Sequence, residues 1–276
     1  MLSLSQLIII RTNNKLMKQN KYLVVGVALV AVFVLAAGVA KATHSWNGYH
    51  WARTSNPFTL KLGDNVSSAW DTVLNTTSVD WSKSSVLDTA IVVGQGKTSC
   101  RATKGRVEVC NRTYGNTGWL GVAQVWVNSS KHIVQGTVKA NDTYFNTPYY
   151  NTTAWKNLVM CQEVGHTLGL DHQDENFNNP NLGTCMDYTS DPASNQHPNS
   201  HDYDELATIY AHADNANTAT DSIGKGKPAN VGQDIDLNDP SAWGKAVKQD
   251  ARGNNSLYKR DLGNGETLFT FVIWAN

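Results

Sequence analysis

Residues 161–172, CQEVGHTLGLDH, constrain the fold of this chain more than any other stretch. Thr152 or Thr153 can cap a helix that runs to about Leu168. Trp155, Val159, Gln162 and His166 fall on one face of it, at i, i+4, i+7 and i+11. Leu158, Cys161, Gly165 and Leu168 form the neighbouring face, which is assigned to the core. Gly169 stops the helix as a C-terminal glycine does. The apolar face must be buried against another layer. The alternating stretches upstream supply one, and an α+β domain follows.

The same spacing carries chemistry. Gln162 and His166 lie four apart and stack on one face, and His172 returns after the glycine from another direction. Three such side chains can converge on a single ion. Glu163, beside the first of them, can hold an ion-bound water and act as general base toward it. Downstream, Gly183 to Tyr188 reads GTCMDY.

These residues resemble the signature of the metzincin metallopeptidases, HExxHxxGxxH with a later Met-turn. The corresponding positions are Gln162, Glu163, His166, Gly169 and His172, with Met186 in the turn. The resemblance spans roughly residues 44–214 and is most like the matrixin branch in size. It implies a metzincin-like catalytic domain with a twisted mixed sheet, an active-site helix, a Met-turn and a C-terminal helix. It further implies Zn²⁺ as cofactor, a protein or peptide substrate, and a cleft along an edge strand, here assigned to 132–141. Met186 would be a hydrophobic base under the metal. Tyr188, two residues on, is a candidate to stabilise an oxyanion; the other reading is a core tyrosine beneath the site. Gln162 departs from the pattern, because an amide oxygen is a weaker donor to zinc than imidazole. It ligates weakly, or stands behind two histidines and water, or is replaced by His197, His201, Asp171 or a reduced cysteine. Alternatively the scaffold is an inactive binding or adhesion module. No cysteine occurs between Thr43 and Lys97, so the cysteine-bearing propeptide of many matrixins has no counterpart there.

Elsewhere, strands are expected at 58–62, 86–93, 106–109, 121–127 and 132–141, with the last two as a hairpin or meander. Helices are expected at 66–74 and 202–212. Residues 215–240, rich in Asn, Gly, Asp and Lys, read as a linker. Residues 241–276 read as a small αβ appendage, with a helix near 242–251 and strands 256–259 and 268–274 around Gly263-Asn264-Gly265.

At the other end, Tyr22 to Ala40 is an apolar run without charge, preceded by Lys15, Lys18 and Lys21 and followed by Ala40-Lys41-Ala42. It reads as a signal peptide cleaved after Ala42, with an uncleaved membrane anchor as alternative. Either places the remaining chain outside the cytoplasm. There the four cysteines favour disulfides, and of three pairings the local one, Cys100 with Cys110 and Cys161 with Cys185, is most natural. Lys+Arg and Asp+Glu are both 23, and no basic block suggests nucleic acid. Asp171, Asp174, Glu175, Asp187 and Asp191 make an acidic loop, read as ordinary solvated surface with Ca²⁺ as a weaker alternative. His44, His50 and His132 are read as structural or surface residues, and the protein as a monomer.

Overall fold

The twisted sheet begins with β2 (Phe58–Asn65), flanked in parallel by β3 (Leu87–Val93) and β4 (Val107–Arg112). β6 (His132–Asn141) continues in parallel beside β4, and β5 (Trp119–Val127) runs antiparallel beside β6. In this computed structural model the described residues are 43–96, 100–220 and 237–275. The expected signal or anchor segment, 1–42, and most of the expected linker lie outside them. Among the described residues no helix is long and apolar enough to cross a membrane.

Three further strands come from the C-terminus: β7 (Lys245–Gln249), β8 (Asn255–Gly263) and β9 (Glu266–Trp274). The sheet order is β3-β2-β4-β6-β5-β9-β8-β7, with the two-residue β1 (His50–Trp51) paired to β6. Residues 241–276, set apart by composition, therefore extend the main sheet through the β5–β9 pairing. The helix expected near 242–251 is instead the strand β7. Its residues alternate in exposure and bond to β8, so tertiary pairing overrides the local pattern. β8 and β9 meet at Asn264-Gly265, both with positive φ (54° and 77°), which is the backbone a tight hairpin demands.

The edge expected at 132–141 is corrected. β6 lies inside the sheet, between β4 and β5. Its alternation misleads because Thr137 and Lys139 are buried. Residues 237–243 cross that face: Lys139 Nζ donates to Asn238 Oδ1 (2.9 Å), and Gln124 Nε2 donates to the Leu237 carbonyl (3.0 Å). Satisfied this way, polar side chains can sit under a loop.

The helix expected at 66–74 starts later, as α1 (Asp71–Trp81). Asp64 Oδ1 and Asn111 Oδ1 take the amides of Val66 and Ser67 and hold that stretch in a turn. A short helix α2 (Asp142–Phe145) follows β6, then the long α3 (Thr153–Thr167). The last helix, α4 (Ser200–Ile209), starts at a reciprocal cap between Asn199 and Asp202. The main core lies between sheet and helices, around Trp51, Trp70, Trp81 and Leu158.

Candidate metal centre

Thr152 Oγ1 accepts the Trp155 amide (3.2 Å) and starts α3. Gln162, Glu163 and His166 on this helix are all buried. Gly165 between them is required by a close approach: a Cβ there would meet Met186 Sδ at 2.5 Å and Trp81 Cζ2 at 2.8 Å. Met186 thus packs against the ligand-bearing turn of the helix. Gly169 has φ +102°, and a Cβ there would lie 2.4 Å from the Tyr49 carbonyl oxygen. Gly169→Ala should cost about 1–3 kcal/mol in backbone strain. Because that bend delivers His172, the variant should also lose zinc affinity, read by isothermal titration against wild type.

After the bend, His172 faces His166. Their Nε2 atoms are 3.0 Å apart, and the rings meet edge to face. His166 Nδ1 lies 2.8 Å from the Leu170 carbonyl oxygen and His172 Nδ1 lies 2.7 Å from Glu175 Oε1. Each of those partners accepts, so each Nδ1 carries a proton and each ring turns its Nε2 toward the other. Two Nε2 atoms at this distance either share one proton as a hydrogen bond or face a common cation. Burial, then the neighbouring His172, pushes the His166 pKa down.

Gln162 Nε2 donates to the Cys185 carbonyl (2.9 Å), leaving a buried Oε1 without a hydrogen-bond partner. Neither carboxylate oxygen of Glu163 has a partner at bonding geometry. Burial raises its pKa well above the usual range, and the nearby Ala123 N–H offsets this only in part. Gly121 on β5 leaves room for it: a Cβ there would come within 3.0 Å of Glu163 Oε1. Gln162 and Glu163 bury unpartnered oxygens on the same helix as His166, and with the facing His166 and His172 rings this donor set fits a divalent cation of the zinc class held by the two histidines.

The other candidates for that place are engaged elsewhere. His197 Nδ1 pairs with Asp80 (2.6 Å), and His201 stacks on His44. Asp171 accepts the His172 amide and Lys248 Nζ. Both cysteine pairs are oxidised, Cys100–Cys110 and Cys161–Cys185. The second bridge joins α3 to the Met-turn. Replacing Cys161 and Cys185 by serine should cost roughly 3 kcal/mol from the loop length alone. Chemical denaturation of both forms measures it.

Tyr188 is buried against His172, ring centroids 4.2 Å apart, and its hydroxyl donates to the Val272 carbonyl (3.1 Å). The acidic loop is spent internally. Asp171 and Glu175 pair with Lys248 (3.0 and 3.1 Å), Asp174 accepts from Asn176 and Asn179, Asp187 from Leu182 and Asn195, and Asp191 caps a short 3-10 turn.

Three residues reach the site from the C-terminus, and sequence reasoning missed all of them. Phe271 stacks flat on His166, with centroids 4.1 Å apart and planes 9° off parallel. Val272 occupies the Tyr188 hydroxyl, and Lys248 clamps the two acids that hold His172. They lie about a hundred positions downstream, where no motif flags them; only the sheet pairing reveals them.

No family model and no curated protein sequence matches this chain. Solved structures that overlap it include two of myroilysin. One is 11% identical over 59% of this chain and 83% of the other, with TM-score 0.36. The second is 10% identical over 63% and 97%, with TM-score 0.35. A third is high choriolytic enzyme 1, a hatching enzyme zinc-protease from the medaka fish Oryzias latipes. It is 11% identical over 60% of this chain and 96% of that one, with TM-score 0.33. Overlap at this level defines neither family nor activity, and the chemistry rests on the side chains of the site.

Proposed function

We propose that this chain is an exported zinc-dependent endopeptidase of metzincin type, acting on protein or peptide substrates. The observation that carries the reading is the facing pair of His166 and His172 Nε2 atoms, 3.0 Å apart, at the end of the helix that also buries the Glu163 carboxyl with neither oxygen at hydrogen-bonding geometry. Zinc, when bound, lowers the pKa of its water to near neutrality and polarises a carbonyl. His166 and His172 hold it; Leu170 and Glu175 fix their tautomers. Gln162 offers a neutral oxygen in the third position. Glu163, desolvated and therefore a stronger base than an exposed carboxylate, takes the proton of the attacking water and delivers it to the leaving amine. Tyr188, once released from the Val272 carbonyl, would donate to the developing oxyanion. Two disulfides suit an oxidising compartment outside the cytoplasm.

A second reading, a non-catalytic binding module, draws support from the C-terminal strand lying on the same site. Zinc content after dialysis, together with hydrolysis of an unfolded protein before and after chelation, separates the two. Gln162→His should raise zinc affinity, because imidazole is a stronger donor to zinc than an amide oxygen. If Gln162→His binds zinc tightly yet stays inert with the C-terminal strand opened, the peptidase reading fails.

A further inference from the structure

A second cluster of metal-ligating groups lies away from the catalytic helix. Register pairs His50 on β1 with His132 on β6, and the chain leaving α4 brings His212 and Asp214 to the same place. His50 Nε2 lies 3.3 Å from His212 Nε2 and 3.5 Å from Asp214 Oδ1. His212 Nε2 is 3.6 Å and His132 Nε2 3.4 Å from that same oxygen. Ligands about 2.0–2.1 Å from a tetrahedral zinc stand roughly 3.3–3.4 Å from one another. Two further features suit a metal. His50 Nδ1 donates to the Gly48 carbonyl (2.7 Å), so its Nε2 lone pair is the one presented to the cluster. Arg53 holds Asp214 through Oδ2 (2.7 Å), while Oδ1 faces His132 and His212, and His50 Nε2 lies between the two oxygens.

We propose that His50, His212 and Asp214, with His132 as the fourth group on the same carboxylate, bind a second divalent ion of the zinc class. It would tie the N-terminal segment and the end of α4 to the sheet. The alternative is a metal-free histidine network bridged by hydrogen bonds. Zinc per chain after equilibration and dialysis, read by plasma mass spectrometry, tests this on the full chain. His166→Ala/His172→Ala should keep one ion. His212→Ala, whose side chain is 55% exposed and safe for folding, and His50→Ala/His212→Ala should each bind one ion fewer than wild type. Cobalt(II) added to His166→Ala/His172→Ala should give the visible bands of a four-coordinate site. An unchanged zinc count in the His50 and His212 variants, or no ion and no cobalt bands in His166→Ala/His172→Ala, overturns the proposal.

A different observation carries a second inference, which rests on the peptidase reading. β9 adds antiparallel to β5, the strand whose Gly121 opens space for Glu163, and pairs from Thr267 with Val127 to Trp274 with Trp119. An extended peptide bound to a sheet edge takes this arrangement. Phe271 covers His166, and the Val272 carbonyl holds the hydroxyl that Tyr188 would turn to an oxyanion. The geometry points to β9 as a built-in substrate mimic that keeps the cleft closed, with Lys248 as its clasp on Asp171 and Glu175.

The full chain carrying Lys248→Ala/Phe271→Ala should hydrolyse a quenched peptide at least about tenfold faster than wild type. It should also bind a labelled peptide of the sequence of residues 266–274, which wild type should not. Lys248→Ala alone, at a partly exposed position, should shift both readouts in the same direction if the double variant folds poorly. Equal peptide binding by wild type and folded variants overturns the inference. Binding gained without hydrolysis supports the closure and sinks the peptidase reading instead.

Discussion

Glu163→Ala keeps its zinc and hydrolyses an unfolded protein about 10²–10⁴-fold more slowly than wild type, the span of a lost general base. The carboxylate is buried, and neither oxygen has a hydrogen-bond partner. A buried carboxyl without a strong partner is costly to the fold, which offsets the cavity that alanine leaves, so the melting temperature should change little. A buried, poorly partnered carboxyl on the helix that carries His166 is what the proposed general base requires. The measurement is hydrolysis under conditions that open the C-terminal strand, with zinc content and melting temperature taken on the same samples. Equal rates for wild type and variant would remove Glu163 from the mechanism.

Trp81→Ala is expected to destabilise the protein by about 3–5 kcal/mol, as for other fully buried large aromatic residues cut to alanine. For a unit of this size that is a fall in melting temperature of roughly 10 °C. Trp81 closes α1 and is completely buried, and its Nε1 donates to the Cys161 carbonyl (3.1 Å) in the middle of α3. Its ring also fills the space that Gly165 leaves open. The cavity would sit directly behind the turn that carries Gln162 and His166, so zinc affinity should fall with stability. Calorimetry and zinc titration together check this. A melting temperature within about 2 °C of wild type would show that the helix is positioned by something else.

Much of the site was legible because it is local. The spacing of Gln162, His166 and His172 across Gly169 sets their convergence through helical geometry and one bend, and the 161–185 bridge follows from nearness in the chain. The strands from 58 to 141 were legible through alternation and turn residues. What could not be read was pairing at long range. Lys139 and Gln124 look like solvent-facing strand residues until residues 237–243 lie over them. Lys248, Phe271 and Val272 belong to a hairpin with no ligand spacing. Its docking on β5 depends on an open strand edge elsewhere in the fold. His50, His132, His212 and Asp214 are scattered over 165 positions (50 to 214 inclusive), so no window of sequence contains the cluster.

The Cys161–Cys185 bond closes a covalent ring that contains Gln162, Glu163, His166 and His172. A nick in the asparagine-rich stretch 173–184 would therefore yield two fragments on a reducing gel and one on a non-reducing gel. The severed chain would still keep Met186 and Tyr188 tethered to the helix that carries His166, and damage in this loop need not scatter the site.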